Sequence, residues 1–141
     1  MTTPVFIIGH DDSAHADAAI DTAIAYGEPT GAHLIIVFVR HNPPALAAST
    51  TATAAHEDAL DAVAAELAAK LHTRLAGYPG KWEFCQRHGN PADELVDAAA
   101  DHTANAIIVG HRGHNTLTDL LIGSVANRLV HHSPITVIVA R

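Results

Sequence analysis

Five short apolar runs, each separated from the next by a stretch of helical periodicity, limit this chain to very few folds. The runs are "PVFIIG" (4–9), "HLIIVFV" (33–39), "KWEFCQR" (81–87), "AIIVG" (106–110) and "ITVIVA" (135–140). "AIIVG" and "ITVIVA" are continuously apolar, as parallel strands covered on both faces are. "KWEFCQR" alternates, with Trp82, Phe84 and Gln86 on one face and Glu83, Cys85 and Arg87 on the other, which predicts an edge strand. Between the runs, Ala16, Ala19, Ile20, Ala23, Ile24 and Gly27 recur at helical spacing. So do Leu60, Val63, Leu67, Leu71 and Leu75, the stripe of a long helix over about 56–76 closed by Gly77 and Pro79. Asn90 as N-cap, Pro91 at the first helical position and Asp93 and Glu94 in the first turn start a third helix. A fourth is expected over 124–132. Strict strand–helix alternation with right-handed crossovers gives an open, doubly wound, five-stranded parallel α/β sheet, Rossmann-like, with helices on both faces.

The 141 residues are read as one domain, 1–141. Cys85 is the only cysteine, so no internal disulfide forms, and a reducing, cytoplasmic compartment is expected. A formal charge of −7 with only 8 scattered Lys and Arg argues against a nucleic-acid surface. The start, "MTTPVFIIGHDDS", has neither a basic n-region nor an apolar run long enough for a signal peptide or membrane span. The expected partner is a small molecule or a protein. Residues 41–56, rich in Pro, Ser, Thr and Ala, read as a mobile connector or insertion.

The chemistry concentrates after the fourth run, in "IIVGHRGHNTLTDLLIGSVANRL" (107–129). GxxxxGK[ST] is absent, and the first turn, "GHDDSAH", is no GxGxxG. In doubly wound sheets ligands bind beyond the carboxyl ends of strands. Glycines there turn backbone amides inward on an anion, and Gly123-Ser124 opens a helix, a combination suited to a polyphosphate. Asp11, on the crossover from the first strand, can accept two hydrogen bonds from ribose hydroxyls or an amino group. Ser124 can donate to a phosphate, and Arg112 can pair with one. The alternative is structural: Asp11 caps the first helix and Ser124 the fourth.

The spacing Gly110, two residues, Gly113, nine residues, Gly123, Ser124 resembles the nucleotide-binding signature of the universal stress protein family, in its ATP-binding Gly-x2-Gly-x9-Gly-Ser subgroup. "IIGHDDS", "TGAHLIIVFV", "RHGNPADEL" and "GSVANRLVHHSPITVIVAR" extend the resemblance over nearly the whole chain. It implies strand order 3-2-1-4-5 and a site for ATP or a related adenine nucleotide, accompanied by a metal such as magnesium. By position, Asp11 through its carboxylate and Val39 through its backbone hold the adenosine end. Gly110 and Gly113 admit the ribose and phosphates, and Gly123, Ser124 and the Val125 amide take the distal phosphates. It also implies homodimerisation through the last strand, 135–140, and a regulatory, stress-response role with a protein partner. The rival reading is a dimeric interaction module of the same fold that binds no nucleotide. No general base is evident beside an attacking water, so the chain is not read as an enzyme beyond slow ATP hydrolysis or autophosphorylation at Ser124.

The loop departs from the family in carrying His111, Arg112, His114 and Asn115. His10 and His111 follow strands that the implied order makes neighbours, and protonated they would reinforce anion binding, with Asp12 opposing. His10, His111 and His114, or His131 and His132, invite a metal reading, but no HExxH or CxxC supports it, and none is expected. Asp11, His111 and Ser124 are residue types of a hydrolytic triad, but Ser124 lies in "IGSVA", not GxSxG.

Overall fold

The computed structural model describes residues 2–113 and 122–141. Its strands are β1 (Val5–Gly9), β2 (His33–Arg40), β3 (Trp82–His88), β4 (Ala106–Gly110) and β5 (Thr136–Ala140), and its helices are α1 (Ala14–Gly27), α2 (Thr50–Arg74), α3 (Pro91–Asp101) and α4 (Ser124–His132). The strands form a parallel sheet in the order β3-β2-β1-β4-β5. Both the alternation and the order implied by the resemblance are present.

The pleat sends successive side chains to opposite faces, and each strand therefore supplies two cores. Ile8, Leu34, Ile36, Phe38 and Ile108 pack under α1 and α2 with Ile20, Leu67, Leu71 and Leu75. Ile7, Ile35, Val37, Ile107 and Val109 pack under α3 and α4 with Leu95, Ala98 and Leu129. β3 is an edge strand, with Trp82 and Phe84 against the first core and Cys85 against the second.

The connector expected at 41–56 is largely structured. Pro44–Ala48 forms a 3-10 turn, and α2 starts at Thr50, six residues earlier than the apolar stripe suggests. Ser49 caps it by accepting the Ala52 amide at 3.1 Å, and Thr53 donates its hydroxyl to the Ser49 and Leu46 carbonyls. The first turns of α2 bury no apolar stripe, so periodicity alone does not mark them. They are tied to the sheet by Arg40, 7 % exposed, whose guanidinium reaches Glu57 Oε2 at 2.6 Å and Asp61 Oδ1 at 2.7 Å. Among the described residues no helix is long and apolar enough to cross a membrane.

Candidate functional site

At the carboxyl end of β1 the His10 amide donates to the Val37 carbonyl at 3.0 Å, and the chain then turns through Asp11, Asp12 and Ser13 into α1. Asp11 Oδ1 accepts the Ser13 amide at 3.1 Å. Asp12 lies at φ 65°, a left-handed conformation that Asp tolerates better than most residues. Its amide donates to His10 Nδ1 at 2.9 Å, and its carboxylate accepts Lys70 Nζ from α2 at 2.9 Å. Extending the register by two residues sets Val39 level with Asp11, and Gly110 level with His10. Val39 is half-buried, its side chain against the α3/α4 core.

At the end of β4 the His111 amide donates to the Ala140 carbonyl at 2.7 Å, and the His111 carbonyl accepts the Gly123 amide at 2.8 Å. The glycine loop is thus drawn closed at its neck. His114 and Asn115 lie outside the described residues.

The three motif glycines have different neighbours. A Cβ on Gly110 would collide with the His15 carbonyl of α1, so this glycine lets helix and strand approach. A Cβ on Gly113 would stand 2.5 Å from Asp11 Oδ2, and one on Gly123 would stand 3.0 Å from the Arg112 Cα. Left-handed backbone is not the reason for any of them: among the described residues the glycines at positive φ are Gly31 and Gly89.

The caps also differ from the structural alternative. Ser13, not Asp11, caps α1, accepting the Ala16 amide at 3.2 Å. Gly123, not Ser124, is the N-cap of α4, at φ −68° and ψ 161°, and it has no side chain with which to take an amide. Ser124 is therefore an exposed residue of the first helical turn, followed by half-buried Val125. The first-turn amides of a helix have no intrahelical acceptor and carry its positive potential. Asp11, Arg112, Gly113 and Gly123 are brought together, Gly110 forms the base, Ser124 and Val125 lead into α4, and Val39 stands one strand away.

The sequence model of the universal stress protein family matches residues 5–141. This chain belongs to that family. A universal stress protein of Thermus aquaticus is 27% identical over 135 residues, 96% of each chain. Another, from Mycobacterium tuberculosis, is 36% identical over 88 residues, 57% of this chain and 28% of that protein, so the chain spans well under half the length of this relative. Among solved structures, the universal stress protein UspA from Lactobacillus plantarum superposes with a TM-score of 0.81 at 24% identity, over 100% of this chain and 99% of that one. A universal stress protein in complex with cAMP gives 0.64 at 23%, covering 100% and 98% of the two chains. One from Archaeoglobus fulgidus in complex with dAMP gives 0.67 at 20%, covering 99% and 98%.

Two electrostatic expectations need correction. His10 is 3 % exposed and lies on the α1/α2 face, its Nδ1 bonded to the Asp12 amide and its Nε2 3.0 Å from Asp17 Oδ1. Its pKa is lowered, desolvation outweighing the pull of Asp17, Asp11 and Asp12, so it is not a protonated anion ligand. Asp12 does not stand as an uncompensated negative charge, because Lys70 pairs with it. Among the described residues no group of three or more His, Cys, Asp or Glu is placed to hold a metal ion. Lys70 and Asp17 were not singled out from the sequence. Their helical spacing places them on a face, but only the packing of α2 beside α1 makes them neighbours of the first turn.

Proposed function

We propose that this chain binds ATP or a related adenine nucleotide at the carboxyl edge of the sheet and that occupancy alters a regulatory interaction in a stress response. The observation that carries the reading is the start of α4: a helix N-terminus whose cap residue is glycine, opened by Gly123-Ser124, beside a Gly113 backbone that closely approaches the Asp11 carboxylate. A bound phosphate would supply the acceptor that the glycine cap lacks. The cAMP and dAMP complexes of other universal stress proteins support the adenine class. Asp11 and Val39 would hold the adenosine, Gly110, Arg112 and Gly113 the ribose and inner phosphates, and Gly123, Ser124 and Val125 the distal ones. Magnesium would be held chiefly by the phosphates and water, since the described side chains offer no cage of their own. Chemistry beyond slow hydrolysis or phosphorylation of Ser124 is not part of this reading.

A second reading, an interaction module with an empty loop, is favoured by β5. Among the described residues it pairs with β4 alone and presents a sheet edge whose Val137, Ile138 and Val139 are each half-buried. An apolar edge without lysine or proline invites a second chain, and a homodimer through 135–140 is compatible with either reading. Mass spectrometry of small molecules released from the purified protein, followed by calorimetric titration with ATP, ADP, AMP and cAMP, separates the two. Binding of none of them leaves the interaction module.

A further inference from the structure

The nucleotide reading leaves open what fixes the direction of the Asp11 carboxylate. Asp11 sits in a turn in which its Oδ1 accepts the Ser13 amide, and the next residue is held in a left-handed conformation. The Asp11–Asp12 peptide unit must be held, because a change of φ at Asp12 moves the Ser13 amide away from the Asp11 carboxylate that leans on it.

The group that grips this peptide is buried on the opposite face of the sheet from α4. We propose that His10 is a positioning residue of the nucleotide site, its neutral imidazole spanning the Asp12 amide and the Asp17 carboxylate and so locking the turn that aims Asp11 at the Gly113 loop. The proposal rests on the nucleotide reading and adds to it a pH-dependent control.

The two ring contacts select one tautomer. Nδ1 lies 2.9 Å from the Asp12 amide nitrogen, which only donates, so Nδ1 carries the lone pair. The proton is then on Nε2, where it is donated to Asp17 Oδ1 at 3.0 Å. Adding a second proton places N–H against N–H and breaks the bond to Asp12. Among the described residues, the charged groups around the ring are Asp11 and Asp12 in the turn, Asp17 on α1, and Lys70 and Arg74 on α2. Lys70 is paired with Asp12 and Arg74 with Asp21. The three carboxylates near the ring favour protonation and burial opposes it, with burial prevailing. At neutral pH the lock is closed. In acid it opens, and the left-handed Asp12 is left with its Lys70 pair.

The test compares the wild-type protein with His10→Asn and His10→Gln by ATP calorimetry at about pH 7.5 and about pH 5.5, either side of the ordinary histidine range. An Asn side-chain oxygen falls near the position of Nδ1, accepts from the Asp12 amide and does not titrate, whereas Gln reaches toward Asp17 and leaves the Asp12 amide without its acceptor. Acidification should weaken wild-type binding about fivefold more than it weakens His10→Asn, the scale of one hydrogen bond. The titration of ATP itself cancels in that comparison. His10→Gln should bind about fivefold more weakly than His10→Asn at the higher pH. Equal pH profiles for wild type and His10→Asn overturn the proposal.

Nitrogen NMR of the nucleotide-free wild type needs no variant: a protonated Nε2 and bare Nδ1 near neutral pH, with the Asp12 amide shift following the imidazole titration, support the lock. An Asp12 amide that ignores that titration refutes it. ATP binding by no form at either pH removes the nucleotide reading, while the NMR result still decides whether His10 holds the turn.

Discussion

The three motif glycines are predicted to fail in different ways, and Gly110→Ala against Gly113→Ala is the sharpest comparison. At position 110 the new methyl would meet the carbonyl oxygen and carbon of His15 and lie 3.1 Å from the Ala16 nitrogen, all of them helix backbone. That turn of α1 is anchored by the Ser13 cap and by buried Ala16, Ala19 and Ile20, so it cannot move alone. β4 and α1 must separate, an overpacking cost of about 2 kcal/mol. For a chain of this size the melting temperature should fall by roughly 6 °C. At position 113 the methyl meets the end of a side chain, Asp11 Oδ2 at 2.5 Å, which retreats by about an ångström to reach ordinary contact. The Ser13 amide bond to Asp11 is strained and the carboxylate is displaced, with little effect on either core. Nucleotide-free melting should therefore change by less than about 0.5 kcal/mol equivalent, while ATP affinity falls about tenfold, or about 1.4 kcal/mol. Thermal unfolding by circular dichroism and ATP calorimetry on the same preparations check both. The reasoning is refuted if Gly110→Ala melts with the wild type, or if Gly113→Ala loses stability yet binds ATP normally.

Ser124→Ala should weaken ATP more than AMP, because the hydroxyl is assigned to the distal phosphates; equal losses in calorimetry would remove that assignment. Asp12→Gly should leave thermal stability within about 1 kcal/mol of wild type, since glycine relieves the left-handed strain while the Lys70 pair is lost, whereas Asp12→Val should melt clearly lower. Stability should also depend on His10. The unfolded chain binds a proton near pH 6.5, roughly the ordinary histidine value, and the folded chain only at lower pH. Stability present above that pH is therefore lost as the pH falls below it, and urea midpoints of His10→Asn should show a smaller decline. Light scattering at about 10 μM should show a dimer, a concentration above the micromolar affinities of ordinary interactions, and Val137→Lys on β5 should shift it to monomer.

The strands were legible because their apolar runs must be covered on both faces, and Asn90, Pro91 and the first-turn acids announced α3 by local chemistry alone. Strand order came through the resemblance, since nothing within a parallel strand's own residues names its neighbour. The start of α2 was hidden because a Ser cap and an alanine-rich stretch form helix without an apolar stripe. The site was legible as a spacing but not as geometry. That Gly110 answers to His15 and Gly113 to Asp11 depends on how α1 crosses the sheet. The role of His10 was misassigned for a similar reason: the residue that follows a strand can turn to either layer, and here it turns toward α1 and α2, where burial keeps it neutral.

Ile7 and Ile8 are adjacent in the chain yet belong to separate cores, and the same division runs through β2 and β4. The sheet is thus a partition, and side-chain repacking on one side has no direct route to the other. At the carboxyl edge the partition ends. There the first turn, moored to α2 through Lys70, comes beside the loop that leads into α4. A molecule seated across that edge would fasten two otherwise independent layers, and changes in one would then be felt as a strain in the other.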